Sequence, residues 1–430
     1  MMNQEAIQKC QNCKKKFTIE SEDFDFYQKI DVPVPTWCTD CRLMRRLAWR
    51  NMRSIYKRKC DFCKEDKISI YSPDKPYTVY CSKCWWSDGW DPLKYGRAYD
   101  PERSFFEQFE ELLNATPLVS RFGLEETATR SDYVNMFKAI KDCYLCFHID
   151  FCERCFYSYH SEYSVDCNST AFGYGNELCF ESIAIQQCNR VFYSAYTESG
   201  VDSWFLKNCS GCNSCFASAN LRNKNYHIFN KPYGTKEAYN SRLKELGFDS
   251  SSYKSIQNFK KKAHDHWKKY PSKYIHGLKN LNVTGEFVNN SKNTSNSFSV
   301  HDCENVKNGM FLVKGGGKDS MDWTQYGDGG ELIYEALASG GGAYNDHFGA
   351  AFWKGSRNCE YGLFIINCSD TFGSIALKNK KHCILNKQYS EEEYEKLKTQ
   401  IIERMKEDGE YGEFFPVAMS PFGYNETTAQ

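Results

Sequence analysis

Residues 142–168 read DCYLCFHIDFCERCFYSYHSEYSVDCN, and a related pattern continues as far as Asn220. Residues of one type recur there at a spacing of 21. The columns are Cys146, Cys167, Cys188 and Cys209; Phe151, Phe172 and Tyr193; Tyr159, Phe180 and Val201; and Ser161, Ser182 and Ser203. A fixed period of this kind indicates a repeat architecture. Aromatic, β-branched and small polar residues without helical spacing favour strands and turns. The segment therefore predicts a parallel β-helix with one coil per 21-residue unit.

A second array with the same spacing follows nearer the C-terminus. It includes Trp323, Tyr344 and Ile365, and also Phe311, Leu332 and Trp353. Each array ends in a shared motif with Asn-Lys-x-Tyr at 230–233 and 386–389, and a helical run follows each motif. The open end of a β-helix exposes strand edges and core side chains, so we expect each helix to cap its block. We interpret the repeated motif as part of the cap rather than as a ligand site.

Eight cysteines near the N-terminus form two sets of paired C-x-x-C motifs. They are Cys10, Cys13, Cys38 and Cys41, followed by Cys60, Cys63, Cys81 and Cys84. Each set supplies four thiolates, which is the number that a closed structural zinc site needs. A redox motif needs only one pair, so that alternative is weaker. The pattern predicts two structural Zn²⁺ ions and leaves no open coordination position for catalysis.

A strongly basic segment lies between the two cysteine sets. Its cations are Arg42, Arg45, Arg46, Arg50, Arg53, Lys57, Arg58 and Lys59, and no acid interrupts them. Leu43 and Leu47 are four residues apart, which predicts the start of an amphipathic helix. Such a helix could bind nucleic-acid phosphates, with Trp49 stacked on a base. The alternative is a solvated basic face whose apolar stripe packs on the ribbon.

The first cysteine set also carries a family resemblance. The residues are Cys10-x-x-Cys-x-x-x-Phe17, Asp23-Phe-Asp-Phe-Tyr-Gln-Lys29, Val32-Pro-Val-Pro-Thr36 and Cys38-x-Asp-Cys-Arg-x-x-Arg-Arg46. This run resembles the "probable zinc-ribbon" domains and the zinc-ribbon proteins of candidate-phylum (ultrasmall) bacteria. Those proteins have no assigned activity. The resemblance therefore implies zinc binding and adds little about function.

Further cysteines lie within the first array. They are Cys143, Cys146, Cys152 and Cys155, and the triplet Cys209, Cys212 and Cys215. A third metal site is one interpretation. Only five residues separate Cys146 from Cys152, however, which is short for a ribbon loop. We therefore favour thiols stacked in the interior of the β-helix, where free cysteine is readily buried.

Glycine runs and acidic residues in the second array suggest two kinds of ligand site. Gly315–Gly317 and Gly340–Gly342 lack the strand and helix context of a phosphate loop, so we interpret them as turns. The one dense acidic group is Asp319, Asp322, Asp328 and Glu331, with Asp346 nearby. A glycoside hydrolase would need such carboxylates paired across adjacent coils.

Length and composition restrict the class of protein. The chain has 430 residues, a formal net charge of zero and 22 cysteines. No apolar run is long enough for a membrane-spanning helix, and Met1–Glu5 lacks an apolar signal region, so we expect a cytoplasmic protein with reduced thiols. The domains that we predict are tandem zinc ribbons with a basic helix at 1–100, a helical bridge at 101–135, a first β-helical block at 136–233, a helical basic linker at 234–280, a second β-helical block at 281–389, and a capping helix and tail at 390–430.

Three functions remain open from the sequence. The first is a non-enzymatic zinc-stabilised scaffold that presents a repetitive β-helical surface to a macromolecular partner. The second is RNA or DNA binding through the ribbons and the basic helix. The third is a carbohydrate-active enzyme, by analogy of fold alone.

Overall fold

The computed structural model describes residues 5–313 and 315–430. The N-terminal residues 1–4, on which the prediction about a signal region rests, lie outside the described residues. The chain is mainly β, as predicted, with two N-terminal four-cysteine ribbons followed by two parallel β-solenoids, each ending in a helix. No helix in the described residues combines the length and the apolar character needed to cross a membrane.

Each four-cysteine ribbon is an antiparallel hairpin followed by a helix that carries two cysteines. The first contains β1 (Ala6–Lys9), β2 (Lys16–Ile19), α1 (Ser21–Lys29) and α2 (Thr39–Leu47), and the second contains β3 (Tyr56–Lys59), β4 (Asp66–Ser69), β5 (Val79–Tyr80) and α3 (Ser82–Trp86). A 3-10 turn (Pro92–Tyr95) and α4 (Phe105–Ala115) lead towards the first solenoid. The Ser104 side chain caps α4 by accepting a hydrogen bond from the Glu107 N–H.

The first solenoid is built from short parallel strands. They are β6 (Leu118–Val119), which pairs with β5, and then β7 (Ala128–Thr129), β8 (Val134–Lys138), β9 (Ile140–Lys141), β10 (Cys146–Asp150), β11 (Tyr159–Glu162), β12 (Ala171–Tyr174), β13 (Ile183–Gln186), β14 (Asn189–Phe192), β15 (Ala195–Glu198) and β16 (Val201–Trp204). Phe147 pairs with Tyr159, Tyr159 with Ala171, and Ala171 with Ile183. Successive coils are therefore related by a spacing of 12, and the predicted spacing of 21 is wrong.

A three-residue unit explains both the true coil and the misleading period. In each unit one residue points inward, the next points outward, and the third has positive φ; Cys146, Phe147 and His148 (φ 60°) are one example. Four such units make a 12-residue coil. Since 21 is also a multiple of three, residues 21 apart occupy the same kind of position without being stacked on each other.

The positive-φ positions restrict which residues the solenoids accept. An L-residue in this left-handed region costs roughly 1–2 kcal/mol, and a β-branched side chain is the least compatible with it. In the part of the chain that the structure describes, no Val, Ile or Thr has a positive φ. The β-branched residues of the solenoids are thus confined to the inward and outward extended positions.

Small side chains fill the interior of the first solenoid and hydrogen-bond to its backbone. The Cys146 Sγ donates to the carbonyls of Tyr144 (3.4 Å) and Cys155 (3.2 Å), and it accepts from the Ser158 N–H (3.4 Å). Cysteines that follow one another at the coil spacing are Cys143, Cys155, Cys167 and Cys179, and all four are buried. The predicted interior thiols are therefore present, in columns that follow the true coil spacing.

A hairpin and two helices end the first solenoid. They are β17 (His227–Ile228), β18 (Lys231–Pro232), α5 (Lys236–Glu245) and α6 (Tyr253–Trp267). Buried side chains of α6, among them Phe259 and Trp267, pack on the aromatic residues of the last coils.

The second solenoid continues the same design with coils of variable length. Its strands are β19 (Gly277–Leu278), β20 (Leu281–Asn289), β21 (Lys292–His301), β22 (Glu304–Lys307), β23 (Met310–Val313), β24 (Gly317–Gly327), β25 (Gly330–Glu331), β26 (Tyr334–Gly340), β27 (His347–Trp353), β28 (Arg357–Glu360), β29 (Leu363–Ile366), β30 (Ser369–Phe372), β31 (Lys381–Ile384) and β32 (Lys387–Gln388), and α7 (Glu391–Glu407) follows. Two 3-10 turns, Val417–Met419 and Tyr424–Glu426, lie in the C-terminal tail.

The coils widen in the middle of the second solenoid, where the interior holds a tryptophan. Partners are 12 apart at Val288 and Val300, 14 apart at Lys307 and Met321, and 13 apart at Tyr334 and His347. Trp323 is fully buried there. A Cβ on Gly317 or Gly330 would come within 2.3 Å or 2.5 Å of its ring. The glycine runs lie at the turns of these coils, as predicted, with φ of 61° at Gly316 and 69° at Gly341.

The repeated Asn-Lys-x-Tyr motif closes each solenoid, as the cap interpretation predicted. The Asn230 side chain accepts from the N–H of Ala219 (2.9 Å) and donates to its carbonyl (2.8 Å). Asn386 makes the same pair of bonds with Ile375, at 2.7 and 2.9 Å. Each asparagine thus pairs with the last coil in place of a further strand. Ser390 and Glu393 form the predicted capping box at the start of α7.

The two solenoids lie side by side, and the ribbons pack mainly on the second, with smaller contacts to the first at Met136 and Tyr159. The His160 ring lies 4.4 Å from Phe311, and the Tyr196 ring lies 4.5 Å from His276. A large hydrophobic core joins α1, the second ribbon, α4, α7 and the tail to the second solenoid; it includes Tyr27, Trp85, Phe105, Tyr361, Tyr394 and Phe415.

Candidate metal centres and the surfaces around them

The four thiols of the first ribbon converge on one point. Their sulfur atoms all lie within 4.8 Å of one another. Cys10 follows β1, and Cys38 is the N-cap of α2. The Cys38 N–H donates to the Cys10 Sγ at 3.2 Å. Burial raises the pKa of Cys10, but the N–H groups of Cys38, Cys13 and Asn12 outweigh burial and lower it to about 6. The site is therefore prepared to hold a thiolate.

The second ribbon repeats this arrangement of thiols. The sulfur atoms of Cys60, Cys63, Cys81 and Cys84 also lie within 4.8 Å of one another, and Cys81 is the N-cap of α3. The Cys81 N–H donates to the Cys60 Sγ at 3.2 Å. The turn residues Lys14 and Lys64 have φ of 63° and 64° in the two ribbons. Four mutually close thiols with N–H···S bonds fit a structural Zn²⁺ ion.

The basic segment does not form the solvent-facing helix that the sequence predicted. Helix α2 ends at Leu47, and residues 56–59 belong to strand β3. Five of the predicted nucleic-acid contacts are buried, namely Arg42, Arg45, Arg46, Trp49 and Arg50. Residues 42–59 therefore cannot present a continuous cationic helix to phosphates, and that part of the prediction is wrong.

Three arginines of α2 instead enter the second solenoid. Arg42 donates to Asp322 through Nε (2.9 Å) and a terminal nitrogen (2.6 Å). Arg45 and Arg46 lie 3.4 Å from the carboxylate of Glu335. Asp322 and Glu335 are wholly inaccessible to solvent. Removing one partner of a buried charge pair typically costs about 3–5 kcal/mol, because the other charge is left uncompensated, so single substitutions in this network should loosen the first ribbon from the solenoid.

The remaining cations of the segment are few and dispersed. Arg53, Lys57 and Lys59 are exposed. The guanidinium of Arg53 lies 4.5 Å from the centre of the Tyr159 ring. Arg58 donates to the backbone carbonyls of Ser72 and Tyr77. Arg53 thus contacts the first solenoid and Arg58 braces the second ribbon internally, while Lys57 and Lys59 stay exposed on β3.

The second ribbon is held by a lysine among tryptophans. The Lys378 ammonium lies 4.0 Å from the centre of the Trp85 ring, 4.7 Å from Trp86 and 5.6 Å from Trp90. It also donates to the Trp85 carbonyl at 2.6 Å. Burial lowers the pKa of Lys378 to about 8. The tryptophans bury this ribbon against the solenoid.

The cysteines inside the first solenoid do not form a further ligand set. Among the described residues, three or more candidate ligands converge only at the two ribbon sites. Cys209, Cys212 and Cys215 are buried, and each Sγ donates to a backbone carbonyl. This arrangement agrees with the interior interpretation of these thiols.

The acidic residues considered for a glycoside hydrolase do not form one exposed group, since Asp328 and Glu331 lie nearer the surface than Asp322 and Asp346. Asp322 is paired with Arg42, and Asp319 is paired with Lys29 at 2.9 Å. Asp346 lies inside the solenoid, where it accepts from Ser356 and from the Cys359 N–H. Because Asp322 and Asp346 are fully buried, neither can reach a sugar.

An exposed aromatic surface on the first solenoid was missed by the sequence analysis. Its side chains are Tyr144, Phe156 and Tyr157, which are between 38% and 56% exposed. Half a coil away, on the opposite side of the solenoid, Phe151, Tyr163 and Tyr174 form a separate exposed ladder. The rings of Phe151 and Tyr163, in adjacent coils, stack at 4.7 Å with an interplanar angle of 6°. The correct 12-residue spacing would have revealed these ladders in the sequence.

The chain matches no protein-family model, and no curated protein is similar to it in sequence. The resemblance of the first ribbon to zinc-ribbon proteins of candidate-phylum bacteria therefore stays a prediction.

Proposed function

We propose that the protein is a zinc-stabilised, non-enzymatic scaffold that presents its first solenoid to a macromolecular partner. The observation that carries this proposal is the exposed aromatic surface. A contiguous group of exposed aromatic side chains is a common mark of an interaction site. In the second solenoid the position that matches Phe156 is Lys307, which the first ribbon covers through Glu20 and Asp23. The surface left open is thus specific to one half of a duplicated structure.

The metal sites support this division of roles. Each ribbon has four cysteine ligands and no open position, so zinc would act structurally. Both ribbons pack on the second solenoid, through Arg42 and Asp322 in one case and through Trp85 and Lys378 in the other. Zinc would therefore stabilise the covered half, while the first solenoid remains available for binding.

Nucleic-acid binding is a second candidate, at a different place from the one predicted. Exposed lysines on α6 and the following loop form a basic strip: Lys261, Lys262, Lys268, Lys269 and Lys273. A local strip of this kind can bind phosphates even in a chain with zero net charge.

Site-specific photo-crosslinking in extract of the source cell distinguishes these two candidates. A crosslinker replaces Tyr157 on the aromatic surface, or Tyr274, which is fully exposed beside the basic strip. The scaffold proposal predicts a discrete protein adduct from position 157 that resists nuclease. A nuclease-sensitive adduct from position 274 alone would instead support nucleic-acid binding. Adducts that are absent or equally diffuse at both positions would contradict the scaffold proposal.

A further inference from the structure

The two solenoids can be aligned coil by coil from their closing hairpins. Counting back from Ile228 and Ile384, the strand pairings place Phe216 opposite Phe372 in this alignment, and Phe180 opposite Tyr334. The residue after Phe180 is Glu181, and the residue after Tyr334 is Glu335; both glutamates have positive φ. We name the outward face that carries these columns the helix face.

The helix face binds helices in both solenoids. In the first, the Phe259 ring of α6 lies 5.4 Å from Phe216. In the second, the Phe105 ring of α4 lies 5.2 Å from Phe372, and the Tyr27 ring of α1 lies 5.5 Å from Tyr334. Every covering element named here is a helix that contributes aromatic side chains.

A cation from a helix packed on this face meets the matching glutamate in each copy. Lys260 of α6 is 3.0 Å from Glu181, and it also lies 5.3 Å from the centre of the Tyr193 ring. In the second solenoid α1 supplies the aromatic ring, whereas Arg45 and Arg46 of α2 supply the cations that meet Glu335. The face thus accepts aromatic and basic side chains together, and α6 shows that one helix can supply both.

The coverage of the helix face differs between the two copies at the earlier coils. In the second solenoid the next outward positions back are Met321 and Lys307, which contact Tyr27 and Asp23 of the first ribbon. In the first solenoid the corresponding positions are Asn168 and Phe156. There Phe156 is 38% exposed and Tyr157 is 56% exposed, and Tyr144 in the preceding coil is 41% exposed.

We propose that these open coils bind an amphipathic, basic helix of a partner protein. The open coils are continuous with the surface that α6 covers, and Tyr157 stands in the same column as Tyr193, over which Lys260 lies. A partner helix would continue the row begun by α6 and place a lysine or arginine over Tyr157. This inference rests on the scaffold function proposed above and names its surface and its class of partner.

The test uses the full-length chain and a fluorescent synthetic peptide with the sequence of α6, residues 253–267. The peptide carries the apolar side chains Ile256, Phe259, Ala263 and Trp267 on one face. We expect micromolar binding by fluorescence anisotropy. The double variant Phe156→Ser, Tyr157→Asp should weaken binding by roughly tenfold or more, since hot-spot aromatic contacts dominate such interfaces. Both positions are exposed, so the fold should be unaffected.

Two controls make the result specific. The matched variant Phe151→Ser, Tyr163→Asp alters similarly exposed aromatic residues half a coil away, on the opposite side of the solenoid, and should bind the peptide normally. A peptide of the same composition with its apolar residues dispersed around the helix should not bind.

Three results would overturn the inference: no binding of the α6 peptide, equal binding of the dispersed peptide, or unchanged binding by the Phe156/Tyr157 variant. A concentration-dependent dimer that the same variant abolishes would identify a second copy as the occupant and would also overturn it. Should the peptide fail while position 157 still crosslinks to a protein, the scaffold function stands and only the helical partner is rejected.

Discussion

A carboxyl group in the interior of the second solenoid titrates near neutral pH. Asp346 is completely buried, and burial raises its pKa to about 7 although Ser356 and the Cys359 N–H both hydrogen-bond to it. The unfolded chain would release this proton near pH 4. Stability should therefore decrease as the pH rises from about 4 to about 7, and then level off.

Replacing Asp346 with asparagine should remove this pH dependence. The amide keeps both bonds, because its oxygen can accept from the Cys359 N–H and its nitrogen can donate to the Ser356 hydroxyl. Three pKa units correspond to about 4 kcal/mol, so Asp346→Asn should stabilise the surrounding coils by up to that amount at pH 8. Hydrogen exchange of β26 and β27, compared at equal pH, measures the gain. A gain that does not grow between about pH 5.5 and pH 7 would contradict the assignment.

Side-chain roles were predictable where they depend on neighbours in sequence. The metal ligands follow from the C-x-x-C spacing, and the cap of α7 follows from Ser390 and Glu393. The role of Arg42 was not predictable, because its partner Asp322 is 280 residues away. The sequence pattern of an arginine run is the same whether its side chains face water or pair with a buried carboxylate.

The first ribbon is the element that joins the N-terminus to the second solenoid. Cys38 begins α2 and belongs to the metal site, while Arg42, Arg45 and Arg46 on the same helix reach Asp322 and Glu335. The candidate metal site and the packing on the second solenoid are therefore joined by a single helix of nine residues.

Loss of the first metal should loosen the second solenoid but not the first. In Cys38→Ser the ribbon loses a ligand, and structural zinc contributes about 10–16 kcal/mol in small zinc domains. The variant should then lose one zinc ion and exchange hydrogen faster in β24 and β26, where α2 packs, while β10–β13 keep their protection. Cys303→Ser, at an interior cysteine that binds no metal, is the matched control and should retain both ions. Unchanged protection of β24 and β26 in Cys38→Ser would contradict the coupling.

The solenoid elements were predictable in kind but not in period. Residue types alone indicated stacked parallel strands with helical caps. The coil length could not be identified from the sequence, because residues separated by any multiple of three occupy the same kind of position in the three-residue unit. Backbone pairing between coils fixes the value at 12, with 13 or 14 where Trp323 and its neighbours occupy the interior.

At the scale of the whole molecule, a duplicated structure has two different surfaces. The second solenoid is covered by the chain's own ribbons and helices, and the first keeps an open aromatic surface. Neither the coverage nor the opening could be predicted from the sequence, since both depend on how distant segments pack.

The central claim is that two structural zinc ions hold the ribbons that cover the second solenoid. Native mass spectrometry of the full-length protein tests it most directly, by weighing the folded chain with its bound ions. The account predicts a single folded species carrying two zinc ions, because the two ribbons supply eight thiol ligands. A folded chain carrying fewer than two ions, a metal other than zinc, or a third ion held by the interior cysteines would contradict it.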